Sequence, residues 1–280
     1  MNNKQVWFVT GASKGLGLEL VKKLLQEGHR VAASSRNAGI LAEAAGVSSE
    51  TFLPLAVDLR DDNSVAEALK TTVNTFGSLD VVVNNAGYGI GGTVEELSNK
   101  EISESFDINV YATIRVIKYA LPYMRERRKG HIINISSIAG FAATTGWAIY
   151  GAAKSAVMGL SEVLAQDLKS LGINVTVVAP GAFRTQFLSE GSLVLSATKI
   201  EDYQEVRQSH ERYLKMNGQQ AGDPAKAAEV FIRLAEMSNP PVRLFLGSDA
   251  VGRASAKIDN IKAGLEEYKD LSASTDFSEG

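Results

Sequence analysis

Short apolar runs alternate along the chain with stretches whose apolar positions recur every three or four residues. Val6–Thr10, Arg30–Ser34, Phe52–Val57, Asp80–Asn84, His131–Ser136, Asn174–Ala179 and Arg243–Leu246 predict seven strands. Several are apolar almost throughout, as in parallel strands covered on both faces. Between them, Leu16, Leu20, Leu24 and Leu25 mark one face of a helix over Leu16–Glu27, stopped by Gly28. Asp62–Phe76 opens on Asp and Asn and ends before Gly77. Ser98-Asn99-Lys100-Glu101 has the form of a capping box opening a long helix toward Arg128, with a kink expected at Pro122. Tyr150–Leu171 predicts another long helix, ending before Gly172, and Asp223-Pro224 pairs a cap with proline at the first helical position. Strand–helix alternation at this spacing calls for right-handed βαβ crossovers and a doubly wound parallel sheet with helices on both faces.

No repeat, low-complexity linker or composition break divides the 280 residues, so one domain is expected over residues 1–271. Residues 182–222 form a long connection, partly helical near Glu201–Met216, of the kind used as a lid or binding loop. The tail Ser272–Gly280 is small and polar and is expected to fray.

Composition narrows the function classes. Hydrophobic residues at 45% and charged residues at 22% exclude wholesale disorder. With no cysteine there is no disulfide, thiolate metal site, iron–sulfur cluster or cysteine nucleophile. A net charge of −3 gives no overall pull toward nucleic acid or anionic membrane. No apolar stretch reaches the ~18 residues of a membrane span. Val6–Val9 is too short for a signal-peptide core, so a cytoplasmic protein is expected. The basic cluster Arg125, Arg127, Arg128 and Lys129 reads as a solvated helix end. His29, His131 and His210 share no metal-ligand spacing, so no metal is expected. Asp61/Asp62 and Glu95/Glu96 read as helix-start acids.

The first strand runs into Thr10-Gly11-Ala12-Ser13-Lys14-Gly15-Leu16-Gly17 and then a helix. Glycines there permit a tight turn and close backbone approach, and the helix N-terminus favours an anion, so the element points to a nucleotide phosphate. The spacing is G-x-x-x-G-x-G rather than G-x-G-x-x-G. The second strand ends Ala33-Ser34-Ser35-Arg36 with no acid to accept from a ribose 2′-OH. Lys14 and Arg36 together suit a 2′-phosphate, which favours NADP(H) over NAD. Asp80–Gly87 ends in Asn84-Asn85-Ala86-Gly87, where small residues admit a flat ligand; Asn84 reads equally as a bridge between strands and as a ligand contact. Tyr150 and Lys154 lie four apart on one helix face, and Ser136-Ser137 ends a strand thirteen to fourteen residues earlier, on the sheet edge where ligands bind. An ammonium beside a phenol favours phenolate and moves its pKa down, while a nearby hydroxyl can hydrogen-bond a carbonyl.

Taken together, Thr10–Gly17, Asp58, Asn84–Gly87, Asn109, Ser137, Tyr150-x-x-x-Lys154 and Pro180-Gly181 with Thr185 resemble the short-chain dehydrogenase/reductase family, in its order and spacing, from residue 6 to about 250. The pattern is also similar to the family's 17β-hydroxysteroid-dehydrogenase-like and retinol-dehydrogenase-like branches. The resemblance implies a single-domain Rossmann fold with a seven-stranded parallel sheet, and reversible carbonyl/alcohol oxidoreduction with NAD(P). By it, Tyr150 is the general acid or base, Lys154 lowers its pKa and holds the nicotinamide ribose, Ser137 orients the carbonyl, and Asn109 holds a water linking Lys154 to solvent. Gly11, Ser13, Lys14, Gly15, Leu16 and Gly17 would lie along the cofactor, with Arg36 at the 2′-phosphate and Asp58 and Leu59 at the adenine. Asn85, Ala86 and Gly87 would flank it further along, and Pro180, Gly181, Phe183 and Thr185 would cradle the nicotinamide beside Tyr150 and Lys154.

The substrate wall is expected from Tyr88–Gly92, from Phe141, Ala142, Ala143 and Trp147, and from Phe183, Phe187, Leu188 and Tyr203. It is apolar, without an arginine cluster, and suits a hydrophobic ketone, aldehyde or alcohol. Trp147 reads equally as packing or as a substrate contact, and Trp7 as core. Apolar positions on the two long helices, among them Ile114, Ile117, Ala153, Val157 and Leu164, together with the resemblance, imply a homodimer or homotetramer. Two other classes stay open: an NADP-binding sensor or scaffold without chemistry, which the presence of Ser137, Tyr150 and Lys154 opposes, and a nucleotide-fold transferase, in which Lys14, Arg36 and Tyr-x-x-x-Lys have no role. Nicotinamide fluorescence on mixing with NADPH and NADH separates them.

Overall fold

The computed structural model describes residues 4–189 and 191–277. Seven parallel strands form one sheet: β1 (Val6–Val9), β2 (Arg30–Ser35), β3 (Phe52–Ala56), β4 (Val81–Asn84), β6 (Gly130–Ile135), β7 (Ile173–Pro180) and β9 (Arg243–Leu246), in the order β3-β2-β1-β4-β6-β7-β9. The chain winds outward from β1 in one direction, then returns and continues from β4 in the other. The reversal leaves a crevice at the carboxyl ends of β1 and β4. All seven expected strands form, within a residue or so at their ends.

Both faces of the sheet are buried, which accounts for the continuous apolar runs. Trp7, Val9, Val31, Val83 and Val178 point to one side, against α1 (Gly15–Gln26), α2 (Ala38–Ala45) and α8 (Pro224–Glu236). Val6, Phe8, Ala32, Val82 and Val175 point to the other, against α3 (Asp62–Phe76), α5 (Ala112–Arg127) and α6 (Ala148–Lys169). Trp7 is fully buried. Asp61 caps α3 by accepting from Ser64 N at 2.8 Å, and Asp223 caps α8 from the residue before Pro224.

The long helix expected from Ser98 to Arg128 is broken. The Ser98/Glu101 capping box opens α4 (Asn99–Phe106) as expected, but a π-helical turn over Asp107–Tyr111 separates it from α5. The interruption falls there, and Pro122 stays inside α5. Such a wide turn shifts the side chains that follow it and is frequent at functional sites; this one carries Asn109. The basic cluster is only partly a solvated end. Arg127 pairs with Asp80 at 2.8 Å, and Arg128 donates to the Ser170 carbonyl. Ile117, Ala153 and Val157 are buried within the chain, at 4%, 0% and 1% exposure, and so are not available for assembly. Ile114 is exposed, as are Tyr111 and Val163.

Several elements had no counterpart in the apolar pattern. α2 is capped by Asn37. The 182–222 connection pairs β8 (Leu193–Leu195) in parallel with β5 (Gly89–Gly91), neither of them expected, and contains α7 (Gln204–Lys215), the helix expected near Glu201–Met216. After β9 comes α9 (Ser248–Glu267) and then α10 (Lys269–Ala273), which takes in the first two residues of the expected frayed tail. Residues 278–280 of that tail lie outside the described residues.

Candidate active site

The ends of β1 and β4 are stitched together. Thr10 Oγ1 accepts from Asn85 N (3.0 Å) and Ala86 N (3.1 Å), and Asn85 Nδ2 donates to the Thr10 and Gly11 carbonyls, both at 3.0 Å. The approach is close enough that a Cβ on Gly11, whose φ is +64°, would lie 2.6 Å from Ala86 Cα. Helix α1 then starts with no side-chain cap from Lys14 and no acid in its first turn. Its leading N–H groups are left for an anion. Lys14 and Arg36 come together at this end: burial first, and then the nearby guanidinium, lower the Lys14 pKa. Ser35 donates to the Asn37 carbonyl at 2.6 Å, and Asn37 caps α2, so no carboxylate closes β2.

Asp58 is engaged by a neighbour. Arg60 grips both of its oxygens at 2.9–3.0 Å, and these hydrogen bonds hold its carboxyl down to about 2. Arg115 reaches the Leu59 carbonyl at 3.4 Å. Asn84 settles as a bridge: its amide donates to Asn134 Oδ1 at 2.8 Å, and Asn134 in turn donates to Ser161 at 2.9 Å. Asn84 Oδ1 has no partner among the described residues.

Ser137, Tyr150, Lys154 and Asn109 converge at the ends of β4 and β6. The Ser136 hydroxyl donates to the Lys154 carbonyl at 2.7 Å, pinning α6 to the end of β6. Lys154 Nζ donates to the Ile135 carbonyl at 3.1 Å. The Asn109 amide is held by the Tyr88 backbone, accepting from its N–H at 3.2 Å and donating to its carbonyl at 3.1 Å. Between Asn109 and Lys154 lies Gly87, where a Cβ would stand 2.7 Å from Asn109 Oδ1 and 3.1 Å from Lys154 Nζ. Ser137 is in hydrogen-bonding reach of the Tyr150 phenol. The expected lowering of the Tyr150 pKa is not present. Burial pushes the phenol up to about 12, against a smaller opposite effect of Ser137, and pushes Lys154 down to about 8. Desolvation governs both groups.

The Pro180–Thr185 segment crosses this edge. Asp249, in the first turn of α9, accepts from Ala182 N at 2.8 Å and fills the space beside Gly181. Thr185 lies over the glycine-rich turn, 3.6 Å from where a Gly15 Cβ would be. The Phe183 ring turns away into the core with α1 and α8.

Around Tyr150 is an apolar cup of Tyr88, Ile90, Leu97, Trp147, Phe187, Leu193, Leu195 and Tyr213. Of the substrate wall expected from sequence, Tyr88, Ile90, Trp147 and Phe187 are here, the last two with ring centroids 6.3 and 5.9 Å from that of Tyr150. Phe141, Ala142 and Tyr203 are elsewhere. Phe141 packs on Phe245 at 4.9 Å beneath the Arg243 guanidinium. Ala142 is buried with Ala250 and Ala254. Tyr203 donates to Glu95 at 2.8 Å. Leu193 and Leu195 were missed because β8 was, and Tyr213 because the helix expected near Glu201–Met216 gave no sign in sequence that it packs on Trp147. Trp147 packs between His210 and Tyr213 of α7 and also borders Tyr150. His210 in turn bonds the Gly146 carbonyl at 3.0 Å.

Glu96 is not a helix-start acid. Its carboxylate is fully buried, accepts from Thr93 N (3.1 Å) and Ile200 N (2.9 Å), and pairs with Arg207 of α7. Ser196 donates to its carbonyl at 2.7 Å. Glu96 thus clasps the 193–207 segment over the cup. A lone glutamate before a helix gives no sign of this in sequence.

Known proteins share this fold. The family model for short chain dehydrogenases matches residues 5–192. "Oxidoreductase BOA17" of Botryotinia fuckeliana (strain B05.10) is 35% identical over 270 residues, spanning 96% of this chain and 98% of its own. The crystal structure of a short-chain dehydrogenase from Streptomyces avermitilis superposes with a TM-score of 0.90 at 32% identity, over 98% of this chain and all of that one. ElxO, solved with NADP bound, superposes with a TM-score of 0.73 at 26% identity, over 89% of this chain and all of its own. The likeness covers nearly the whole chain, which therefore belongs to the short-chain dehydrogenase/reductase family of oxidoreductases.

Proposed function

We propose that this protein is an NADP(H)-dependent oxidoreductase that interconverts a carbonyl and a primary or secondary alcohol on a hydrophobic small molecule. The supporting geometry is a phenol, Tyr150, buried in an apolar cup with Ser137 in hydrogen-bonding reach and Lys154 one helical turn on. The crevice residues fit the cofactor: an uncapped helix N-terminus for phosphate, paired cations Lys14 and Arg36 for a 2′-phosphate, and the glycine-lined approach at Gly11 and Gly87. Asn85, Ala86, Pro180, Gly181 and Thr185 line the same edge, and Phe183 would contribute through its backbone.

When bound, the nicotinamide supplies or takes up the hydride. In the reductive direction Ser137 hydrogen-bonds the carbonyl oxygen and Tyr150 transfers its phenolic proton there. A pKa of about 12 keeps that proton in place until charge develops on the substrate. Lys154, facing Tyr150 and Asn109 across Gly87, stabilises the phenolate left behind and reaches the ribose, while Asn109 orders the water that returns a proton. The cup excludes bulk water and takes an apolar substrate body. The similarity to hydroxysteroid- and retinol-dehydrogenase-like branches favours a bulky one. Residues 182–222 act as the substrate loop, and the protein works in the cytoplasm. Exposed Tyr111 at the end of the π-turn, Ile114 of α5 and Val163 of α6 give a surface for a homodimer or homotetramer. The test is a panel of hydrophobic ketones and aldehydes followed by loss of NADPH absorbance. Turnover of at least one bulky apolar member is expected, and failure across the panel with NADPH still bound would overturn the chemistry.

A further inference from the structure

Helix α9 starts packed against the body and then leaves it. Its first turns bury Ala250 and Ala254 beside Phe141 and Phe245, and Arg253 ties it to the Ala142 carbonyl (2.8 Å) and the Thr144 hydroxyl (2.6 Å). From Ile258 to Glu267 every residue but Gly264 is exposed, and α10 continues so. Yet the apolar spacing of a buried face goes on. Ile258, Ile261, Leu265 and Tyr268 extend the line of Ala250 and Ala254, with exposures of 47%, 44%, 68% and 54%.

Charge is sorted around this stripe. Lys257 sits one turn before Ile261, Lys262 one turn after Ile258 and Lys269 one turn after Leu265, so lysines border it on both sides. Asp259, Glu266, Glu267 and Asp270 fall on the far side of the helix. Pairing two copies along this seam would set lysine against lysine in either direction, which opposes self-association. A surface that accepts apolar side chains and presents anions beside them fits both features, since lysine stems can lie along apolar surface while their heads stay at the polar boundary.

We propose that α9 and α10 form an interfacial arm that lays Ile258, Ile261, Leu265 and Tyr268 into an anionic lipid surface, with Lys257, Lys262 and Lys269 at the headgroups. Among the described residues no helix is long and apolar enough to cross a membrane, so the contact is peripheral. The overall charge of −3 does not oppose it, because the lysines are gathered where the contact is made. The root of the arm holds the 142–144 loop and, through Asp249, the Gly181–Ala182 segment. Docking therefore brings the active-site edge near a reservoir of apolar molecules.

The test is co-sedimentation of the full chain with vesicles of phosphatidylcholine alone and of phosphatidylcholine mixed with phosphatidylglycerol. At least tenfold stronger partition onto the mixed vesicles is expected, falling as salt is raised. Lys257→Glu, Lys262→Glu and Lys269→Glu together should weaken it by more than a hundredfold, from roughly fivefold per lysine near an anionic surface. Leu265→Ser should weaken it by about tenfold, with an unchanged melting temperature because the residue is exposed. Equal partition onto neutral and anionic vesicles, or none onto either, overturns the proposal. So does a dimer in sedimentation equilibrium that Leu265→Ser dissociates, since a second copy would then cover the face.

Discussion

The ring of Phe187 lies 5.9 Å from that of Tyr150, tilted against it, so the 182–222 connection closes directly on the buried phenol. A substrate carbonyl can reach Tyr150 only where Phe187 yields or becomes part of its wall. Phe187→Ala is expected to raise KM for an apolar ketone by roughly ten- to a hundredfold, from about 1.5–3 kcal/mol of lost side-chain burial, with kcat changed little. Steady-state kinetics at saturating NADPH measure both. A fall in kcat with unchanged KM would place Phe187 in the chemistry rather than in binding.

The clasp behind that closure is the Glu96–Arg207 pair. Removing one partner of a buried ion pair leaves the other uncompensated and typically costs 3–5 kcal/mol. Glu96→Ala also strips acceptors from Thr93 and Ile200. The loss is expected to fall first on the loop: proteolytic cleavage within residues 193–216 should accelerate before the melting temperature moves far, and KM should rise. Arg207→Met, which leaves Glu96 its two backbone donors, should be milder. Equal protease resistance in Glu96→Ala and wild type would show that the pair does not hold the loop.

Stability without cofactor should respond to pH through the two buried groups. Lys154 has a folded pKa of about 8, below its ordinary 10.5, so between those values the unfolded chain binds a proton that the folded one lacks, and stability rises with pH. Tyr150 has a folded pKa of about 12, above its ordinary 10, so from pH 10 upward the folded chain holds the extra proton and stability falls. Denaturant midpoints are expected to climb from pH 8 toward 10 and then turn over. Lys154→Met should remove the climb and raise the midpoint at pH 7, because a buried charge is replaced by an apolar chain of similar length.

The sheet was legible because its strands are buried on both faces and so spell apolar runs, and the nucleotide crevice because Gly11 and Gly87 must be glycines at their close approaches. Tyr150 and Lys154 were legible through spacing. The rest depended on tertiary contacts. The π-turn that carries Asn109 has no distinguishing residue pattern. β5 is three residues, two of them glycine, and pairs with β8 a hundred residues away. The apolar stripe of α9 was there to be read, but a strand–helix count that ends with β9 passes over it. The direction of the Tyr150 pKa shift was misjudged because the Tyr–Lys spacing shows the attraction and hides the burial of both groups.

The proposed preference for NADP(H) rests on Lys14 and Arg36. Each charge-assisted contact to a 2′-phosphate is worth about 1.5–3 kcal/mol, or roughly ten- to a hundredfold in affinity. Arg36→Ala should weaken NADPH by that factor and leave NADH nearly unchanged, as fluorescence titration will measure. It should also relieve the repulsion that adds to burial in lowering the Lys14 pKa, so some NADPH preference should survive through Lys14. Equal loss for the two cofactors would remove the 2′-phosphate assignment.

Proton transfer gives the sharpest expectation. Tyr150→Phe keeps the ring that packs against Trp147 and Phe187 and removes only the hydroxyl facing Ser137. General acid catalysis by a positioned group contributes roughly 10²–10⁴-fold, so kcat on any accepted ketone should fall at least that far, with NADPH affinity nearly unchanged. Ser137→Ala should cost less in kcat, because it removes a hydrogen bond to the carbonyl but no proton, and it leaves the α6 anchor at Ser136 intact. Lys154→Ala should lower both turnover and cofactor affinity, since its ammonium faces the phenol on one side and the crevice beside Gly87 on the other. The ordering separates a proton donor from a structural tyrosine: a merely structural Tyr150 would tolerate phenylalanine, and Tyr150→Phe with near-normal kcat would end the mechanism while leaving the cofactor site standing.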